Sequence, residues 1–464
     1  MHVVMIGGSD AGISAALRAR ELDPAADVTV VLEDAYPNFS ICGIPYYVSG
    51  EVTHWRNLAH RTTADLEAAG MRLRTDTTAR RIDVPGRKLL LTTADGGEEV
   101  LGYDKLIIGT GAVPVRPPIR GLSGPDALGP ADGVHLLHSM GDTFAVMRTL
   151  EETAPASAII VGAGYIGLEM ADALTVRGLH VTQMEQLGEV LPTVDPGLGA
   201  LVHAELASHG VEVLTGTTVQ AISAAPPGGT RRLQVHAAAA DGTAVTRPAD
   251  MVLVVVGVRP ETALAAEAGA TLGVKGAIAV DPGMRTGLPD IYAAGDCVIT
   301  HHRLLGETYL PLGTTAHKQG RVAGENALGG NRQFAGSLGT QVVKIFDQAA
   351  ARTGLRDHEA AAGFDPVTTE TQADDHKAYY PGSHRITIRV TGDRTTGRLL
   401  GLQLFGHKNA EIAKRVDIAA TAIYHGMTVD AVSDLDLSYT PPLGSPWDAV
   451  QMAAQAWTRA TRKR

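Results

Sequence analysis

The sequence predicts an α/β protein, with two Rossmann-like dinucleotide-binding domains on parallel sheets and then a C-terminal α+β domain. Three observations carry this. A strand, a glycine turn, a helix, a second strand and an acid open the chain in that order. The same order returns near residue 157 with its glycine motif complete. From about Gly339 the texture changes: short strand-like runs alternate with turns before two helices.

In the first unit His2 to Ile6 is a β-type run, and GGSDAGISAALRAREL reads as a turn entering an Ala-rich helix. Val28 to Leu32 is the next strand, closed by Glu33. In such a unit glycines let backbone N–H groups approach a pyrophosphate, and the helix N-terminus faces its charge. The acid binds a ribose hydroxyl. Gly7 and Gly12 fit the first and third places of G-x-G-x-x-G, while Ser9 holds the second.

The second unit shows the full motif. Ser157 to Val161 is a strand, Gly162, Gly164 and Gly167 stand in GAGYIGLEMADAL, and His180 to Met184 is a strand ending at Glu185. Glu185 would accept from both ribose hydroxyls of NADH and repel a 2′-phosphate. No Arg follows in Gln186-Leu187-Gly188, so NADH is favoured, with NADPH possible.

Val100 to Pro118 reads as a strand entering the turn Thr110-Gly111-Ala112. Asp250 to Pro260 and Asp290 to Cys297 read as strands ending in glycine turns, and Thr314 to Leu328 has helical spacing. Strand-like runs follow at Gln341 to Phe346, Arg385 to Thr391 and Leu399 to Gly406. Helices are expected near Ala410 to Tyr424 and Trp447 to Thr461, with the basic end TRATRKR a solvated helix end. The domains are drawn at 1–118 with 281–335, at 119–280, and at 336–464.

Fifty acidic against forty basic residues argue against a nucleic-acid or membrane-surface partner. Two cysteines give no disulfide framework, as suits a reducing compartment. The opening MHVVMIGG shows no export signal, and the apolar run Met251 to Val258 is far too short to span a bilayer. A soluble cytoplasmic protein is expected.

The chemistry concentrates in YPNFSICGIPYYVSG, residues 36 to 50. Gly43 allows close backbone approach to a planar ligand, and Pro45 favours a first helical turn. A cysteine at a helix start lies near the positive end of the dipole, which favours thiolate. No second cysteine is close, so Cys42 must work alone, through a mixed disulfide, persulfide or sulfenic acid. The plain alternative is a buried structural thiol.

Two dinucleotide units, the AGDC motif and the lone cysteine in SICGIPYY together resemble the flavin-dependent pyridine nucleotide–disulfide oxidoreductases. TGA, GAGYIGLE, HKQGRVAGENALGG, AYYPG and SYTPP extend the resemblance over the whole chain. It is to the single-cysteine branch: coenzyme A disulfide reductases, NADH oxidases and peroxidases, and persulfide reductases. No sulfurtransferase domain is expected beyond it. The resemblance implies FAD on the first unit, with Gly7, Gly12 and Glu33 at the ADP half, and with Thr110, Gly111 and Gly295 in the same site. Asp296 is implied to bond the ribityl chain, and Cys42 to lie against the flavin. Tyr165 resembles the residue that covers the opposite flavin face until nicotinamide displaces it. Tyr439, with Tyr379 or Tyr380, resembles tyrosines that a partner subunit of a homodimer delivers to the cysteine; half-buried core tyrosines are the alternative.

Asn38-Phe39 and Ile41 depart from the coenzyme A reductase pattern beside the sulfur, which leaves the thiol substrate open. Arg18, Arg20, His54, Arg56, His60 and Arg61 are candidates to meet coenzyme A phosphates. Cys297 is read as structural. His301 and His302 lack partners at ligand spacing, so they are read as loop residues and no metal site is expected. The expected activity is reduction of a small-molecule disulfide or persulfide by NADH, coenzyme A disulfide foremost. The rivals are an NADH oxidase or peroxidase cycling through sulfenic acid, an electron-transfer reductase of ferredoxin-reductase type, and a non-catalytic NADH sensor.

Overall fold

The computed structural model describes residues 1–226, 228–229 and 231–462. The chain forms two units. One comprises Met1–Val115, His138–Phe144 and Gly257–Ser337; the other comprises Arg116–Leu137, Ala145–Val256 and the chain from Leu338 onward.

The first unit is built on a five-stranded parallel sheet in the order Ile291–Ala293, Lys105–Ile108, His2–Ile6, Asp27–Val31, Met71–Arg74. The apolar runs VVMI and VTVV are buried throughout, as parallel strands covered on both faces must be. The helix Asp10–Leu22 packs on this sheet and on the helix Gly313–Ala327. A Cβ at Gly320 or Gly324 would lie 2.3 Å from the Ala11 or Ala15 carbonyl oxygen, so only glycine allows the two helices this approach. A three-stranded antiparallel sheet, Thr77–Asp83, Lys88–Thr93 and Glu98–Gly102, was not anticipated. Residues 257–280, placed with the middle domain from the sequence, pack here because Val258–Pro260 pairs with Ala112–Pro114. His301 and His302 are not loop residues. They lie on the strand Thr300–His302, paired with Gly306–Thr308, and buried His302 accepts at Nδ1 from the Leu304 and Leu305 N–H groups.

The second unit holds the other parallel sheet, in the order Glu212–Leu214, His180–Met184, Ser157–Val161, Met251–Val254, Val134–Leu136. Beside it runs a second three-stranded antiparallel sheet, Thr217–Ala224, Leu233–Ala239 and Ala244–Ala249. A larger antiparallel sheet follows in the order Gln341–Ile345, Gln348–Gly354, Leu399–His407, Arg385–Asp393, Pro366–Asp374. The helices Ile412–Tyr424 and Ala449–Thr461 cover this last sheet. The second of them starts at a capping box between Asp448 and Gln451 and buries Val450, Ala453, Ala454 and Trp457. Of the basic end, Lys463 and Arg464 lie outside the described residues. Among the described residues no helix is long and apolar enough to cross a membrane.

Candidate active site

The two glycine turns follow one design with one difference. Gly7 has φ +111°, and a Cβ there would lie 2.0 Å from the Gly109 carbonyl oxygen. A Cβ at Gly12 would lie 1.9 Å from the Gly7 oxygen. Gly162 and Gly167 repeat both constraints against Val255 and Gly162, at 2.6 and 2.1 Å. These four glycines are required by the strand–helix approach itself. The middle position is another matter. Ser9 begins its helix with φ −99° and no side-chain capping bond. Gly164 has φ −78°, and nothing lies within 4 Å of where its Cβ would stand. The backbone there accepts any residue, so glycine at 164 leaves space open above the turn rather than relieving strain.

Glu33 is exposed at the end of its strand. Glu185 is only 6% exposed. Its carboxylate accepts from the Ala163 and Leu187 N–H groups, each at 2.8 Å, so it closes its own turn with one lone pair per oxygen to spare.

Cys42 sits in the 3₁₀ turn Ile41–Gly43, not in the helix Ile44–Ser49 that follows with Pro45 in its first turn. That helix has six residues, so its dipole contributes less than the sequence suggested. The sulfur is exposed. Its segment is stitched to the first glycine turn: Asn38, at φ 58°, donates from its backbone N–H to the Gly8 carbonyl at 2.7 Å. His60 N–H donates to the Asn38 carbonyl and Ser40 N–H to the Leu58 carbonyl, at 2.9 and 2.8 Å. Gly43 serves packing, because a Cβ there would lie 2.7 Å from a Leu58 methyl.

Tyr36, Phe39, Trp55 and Phe144 form an aromatic cluster beside this segment, with neighbouring rings 5.3 to 5.8 Å apart. The Arg56 guanidinium lies over the Trp55 ring at 4.3 Å. Sequence reasoning missed this cluster, although aromatic residues are only 4% of the chain and three of these four fall within 20 residues. Arg18 is taken up by Glu325 and Glu21, at 2.6 and 2.8 Å, and Arg20 by the Ala69 and Ala26 carbonyls. Both are thus removed as phosphate candidates. Arg56, His60 and Arg61 remain exposed.

Gly295, at φ +89°, donates to Gln319 Oε1 at 2.9 Å and presents Asp296. Burial, then the charge of Asp10, pushes the Asp296 carboxyl up to about 6, against one backbone N–H bond from Leu312. Thr110 Oγ1 donates to the Glu261 carbonyl at 2.5 Å, and Gly111 has φ +70°. Cys297 is fully buried with its thiol on the Ala294 carbonyl, and burial raises its pKa. The buried Asn38 Oδ1 and Tyr309 hydroxyl have no hydrogen-bond partner among the described residues. One acceptor, one phenol and a desolvated carboxylate in the unit that holds the Ser9 turn fit a ligand rich in hydroxyl and N–H groups, as FAD is.

Tyr165 opens the helix Tyr165–Val176, and its hydroxyl accepts from Thr193 Oγ1 at 3.3 Å. Burial pushes its pKa up to about 12. Tyr439 and Tyr379 are brought together by a hydrogen bond between their phenols. Desolvation and that bond raise the Tyr439 pKa. Tyr380 instead turns its ring edge to His376, 5.8 Å between centroids. Tyr379 and Tyr439 are 74% and 44% exposed, so neither is a core residue within this chain.

Residues 1–320 match the family described as "Pyridine nucleotide-disulphide oxidoreductase", and residues 340–449 match its dimerisation domain. The chain belongs to this family. The oxidoreductase is 31% identical over 459 residues to an NADH oxidase of Methanocaldococcus jannaschii, covering 98% of each chain. It is 31% identical over 456 residues to an NAD(P)H coenzyme A polysulfide/persulfide reductase of Pyrococcus horikoshii, covering 98% of this chain and 97% of that one. It superposes on an NAD-dependent persulfide reductase from A. fulgidus with a TM-score of 0.91 at 37% identity, over 99% of this chain and 83% of that one. The protein is thus an FAD-dependent enzyme of class EC 1 that draws on NADH or NADPH.

Proposed function

We propose that the oxidoreductase carries electrons from NADH through FAD to Cys42, and that Cys42 reduces a small-molecule disulfide or persulfide, coenzyme A disulfide foremost. The observation that carries this reading is the exposed Cys42 sulfur on a segment hydrogen-bonded to the first glycine turn through Asn38 and Gly8. The coenzyme A preference draws on the P. horikoshii relative, whose name carries it.

On this reading residues 1–115 and 257–337 bind FAD, the parallel sheet of the second unit and its glycine turn bind NADH, and 336–464 form the interface of a homodimer. Gly7, Gly12 and Glu33 hold the ADP half of FAD, Thr110, Gly111 and Gly295 shape the site, and Asp296 accepts from ribityl hydroxyls. Gly162, Gly164 and Gly167 admit the NADH pyrophosphate, and the buried negative charge of Glu185 disfavours a 2′-phosphate. When bound, FAD supplies the two-electron relay between hydride donor and sulfur. Tyr165 shields the nicotinamide side until NADH displaces it.

The Cys42 thiolate attacks the substrate S–S bond. A Cys42 mixed disulfide forms and one thiolate leaves, protonated by the partner subunit's Tyr439, with the partner subunit's Tyr379 as its hydrogen-bond neighbour. Two electrons then cleave the mixed disulfide, releasing the second thiol and restoring the Cys42 thiolate. In sum, NADH, one proton and the disulfide give NAD⁺ and two thiols. A persulfide gives one thiol and hydrogen sulfide.

Cys42→Ser tests this. Flavin reduction by NADH should be nearly intact and disulfide reduction abolished. Wild-type disulfide turnover in the variant would make the cysteine structural. A second reading, with oxygen or peroxide as acceptor and a Cys42 sulfenic acid, draws on the relative named NADH oxidase. NADH consumption that is equal with and without added disulfide would favour it.

A further inference from the structure

We infer that the C-terminal sheet fixes the loop beside the NADH turn, and that Arg352 and Arg356 are positioning residues for Tyr165 and Glu185. The inference rests on the reading that NADH binds at the second glycine turn.

Residues 186–195 join the strand His180–Met184 to the helix Pro196–Ser208. The front of this loop is tied to the turn. Leu187 N–H donates to Glu185, and Leu191, at φ 51°, donates to the Ala163 carbonyl at 2.9 Å. Its rear is held by side chains of the C-terminal domain at four successive residues. Arg356 Nη1 donates to the Pro192 and Val194 carbonyls at 2.6 and 3.2 Å. Arg352 Nη1 donates to the Thr193 carbonyl at 2.6 Å. Gln403 brackets Asp195, accepting from its N–H and donating to its carboxylate, both at 2.7 Å, and Arg389 Nε adds a bond to that carboxylate at 2.8 Å.

Glu359 stands behind both arginines, accepting from Arg352 Nη2 at 2.8 Å and Arg356 Nη2 at 2.7 Å. Against the upward push of burial, the two guanidiniums hold its carboxyl down to about 2. Arg352 is 9% exposed and also donates from Nη2 to the Gly354 carbonyl at 2.6 Å. Burying this charge costs solvation that an apolar side chain would not, so filling space does not account for it. What the guanidinium adds is a fixed loop. Thr193 passes that on: its carbonyl is held by Arg352, and its hydroxyl donates to Tyr165 at 3.3 Å. The sheet that follows the nucleotide domain in sequence thereby sets the residue that nicotinamide must displace.

The test uses the flavin-loaded enzyme with Arg352→Met, Arg352→Lys and Arg356→Met. Hydrogen–deuterium exchange over residues 186–195 should rise in both Met variants. Single-turnover flavin reduction by NADH should slow by about tenfold, because a loosened loop beside Glu185 and the glycine turn holds the bound nucleotide less precisely. The NADH dissociation constant should rise with it, while reduction by dithionite and flavin content stay at wild-type values. Arg352→Lys, which keeps a charge for Glu359 and one donor for Thr193, should recover part of the rate. General destabilisation would not slow NADH while sparing dithionite. If Arg352→Met fails to fold, Arg356→Met carries the same test. Unchanged exchange over 186–195, or raised exchange with wild-type NADH affinity and reduction rate, overturns the inference while leaving the proposed function intact. A wild-type flavin that dithionite reduces and NADH does not removes both.

Discussion

Replacing Asp296 with Asn separates what this carboxyl does to the fold from what it does for the cofactor. Burial and the Asp10 charge push it up to about 6 from 3.8. A folded-state pKa raised above the unfolded one means that the folded protein binds this proton more tightly. The favourable contribution is full below the unfolded pKa and is lost as pH rises through the folded one. At about pH 8 the flavin-free protein therefore carries a buried charge that costs about 3 kcal/mol, some two pKa units at 1.36 kcal/mol each. Asn carries no charge. Deflavinated Asp296→Asn should be more stable than wild type at about pH 8 by up to ~3 kcal/mol, and the gap should close toward about pH 4. With cofactor the gap narrows by about 1.4 kcal/mol. Asn replaces a charged acceptor by a neutral one, so FAD should bind about tenfold more weakly. Denaturant titrations of the deflavinated proteins across this range, beside FAD titrations, measure both. A stability difference that does not move with pH, or flavin-free Asp296→Asn being the weaker protein at high pH, would refute the reasoning.

Two further outcomes are expected. Gly164→Ala should melt within about 1 °C of wild type, since nothing occupies its Cβ space, yet weaken NADH about tenfold, whereas Gly12→Ala should cost ~3 kcal/mol or more against the Gly7 carbonyl; thermal melts and NADH titrations decide. Tyr439→Phe should slow the disulfide half-reaction by roughly 10 to 10³-fold and leave flavin reduction unchanged. Stopped-flow traces in which both half-reactions slow equally would remove the tyrosine from its role.

The fold was legible where one period and one punctuation mark coincide. His2–Ile6, Ser157–Val161 and His180–Met184 are short apolar runs ended by Gly or an acid, and the structure starts and stops them where the sequence does. The two three-stranded antiparallel sheets were missed because their signal is weak. Lys88–Thr93 alternates buried and exposed residues over only four positions, and Ala244–Ala249 contains a proline. The helices Met140–Thr153 and Pro196–Ser208 were also missed, the second because an apolar stretch opened by Pro-Gly reads locally as a turn.

At the site, legibility divides by the kind of constraint. Gly7, Gly12, Gly162 and Gly167 are forced by carbonyls that approach within 2.6 Å of where a Cβ would stand, so a motif of fixed spacing records them. Cys42 stands out as a candidate for the opposite reason: it is one of two cysteines in the chain, and its Gly-Pro setting is unusual. Contacts between segments far apart leave no such record. Arg352 and Thr193 are 159 residues apart, and nothing in ARTGLR distinguishes an arginine that grips a distant carbonyl from one that is solvated. The Arg18 pairing with Glu325, 307 residues away, misled in the other direction, since its helix position alone read as exposed. Motif spacing therefore records residues whose backbone or chemistry is constrained locally. The polar groups that hold them in place become readable only when the sheets bring their segments together.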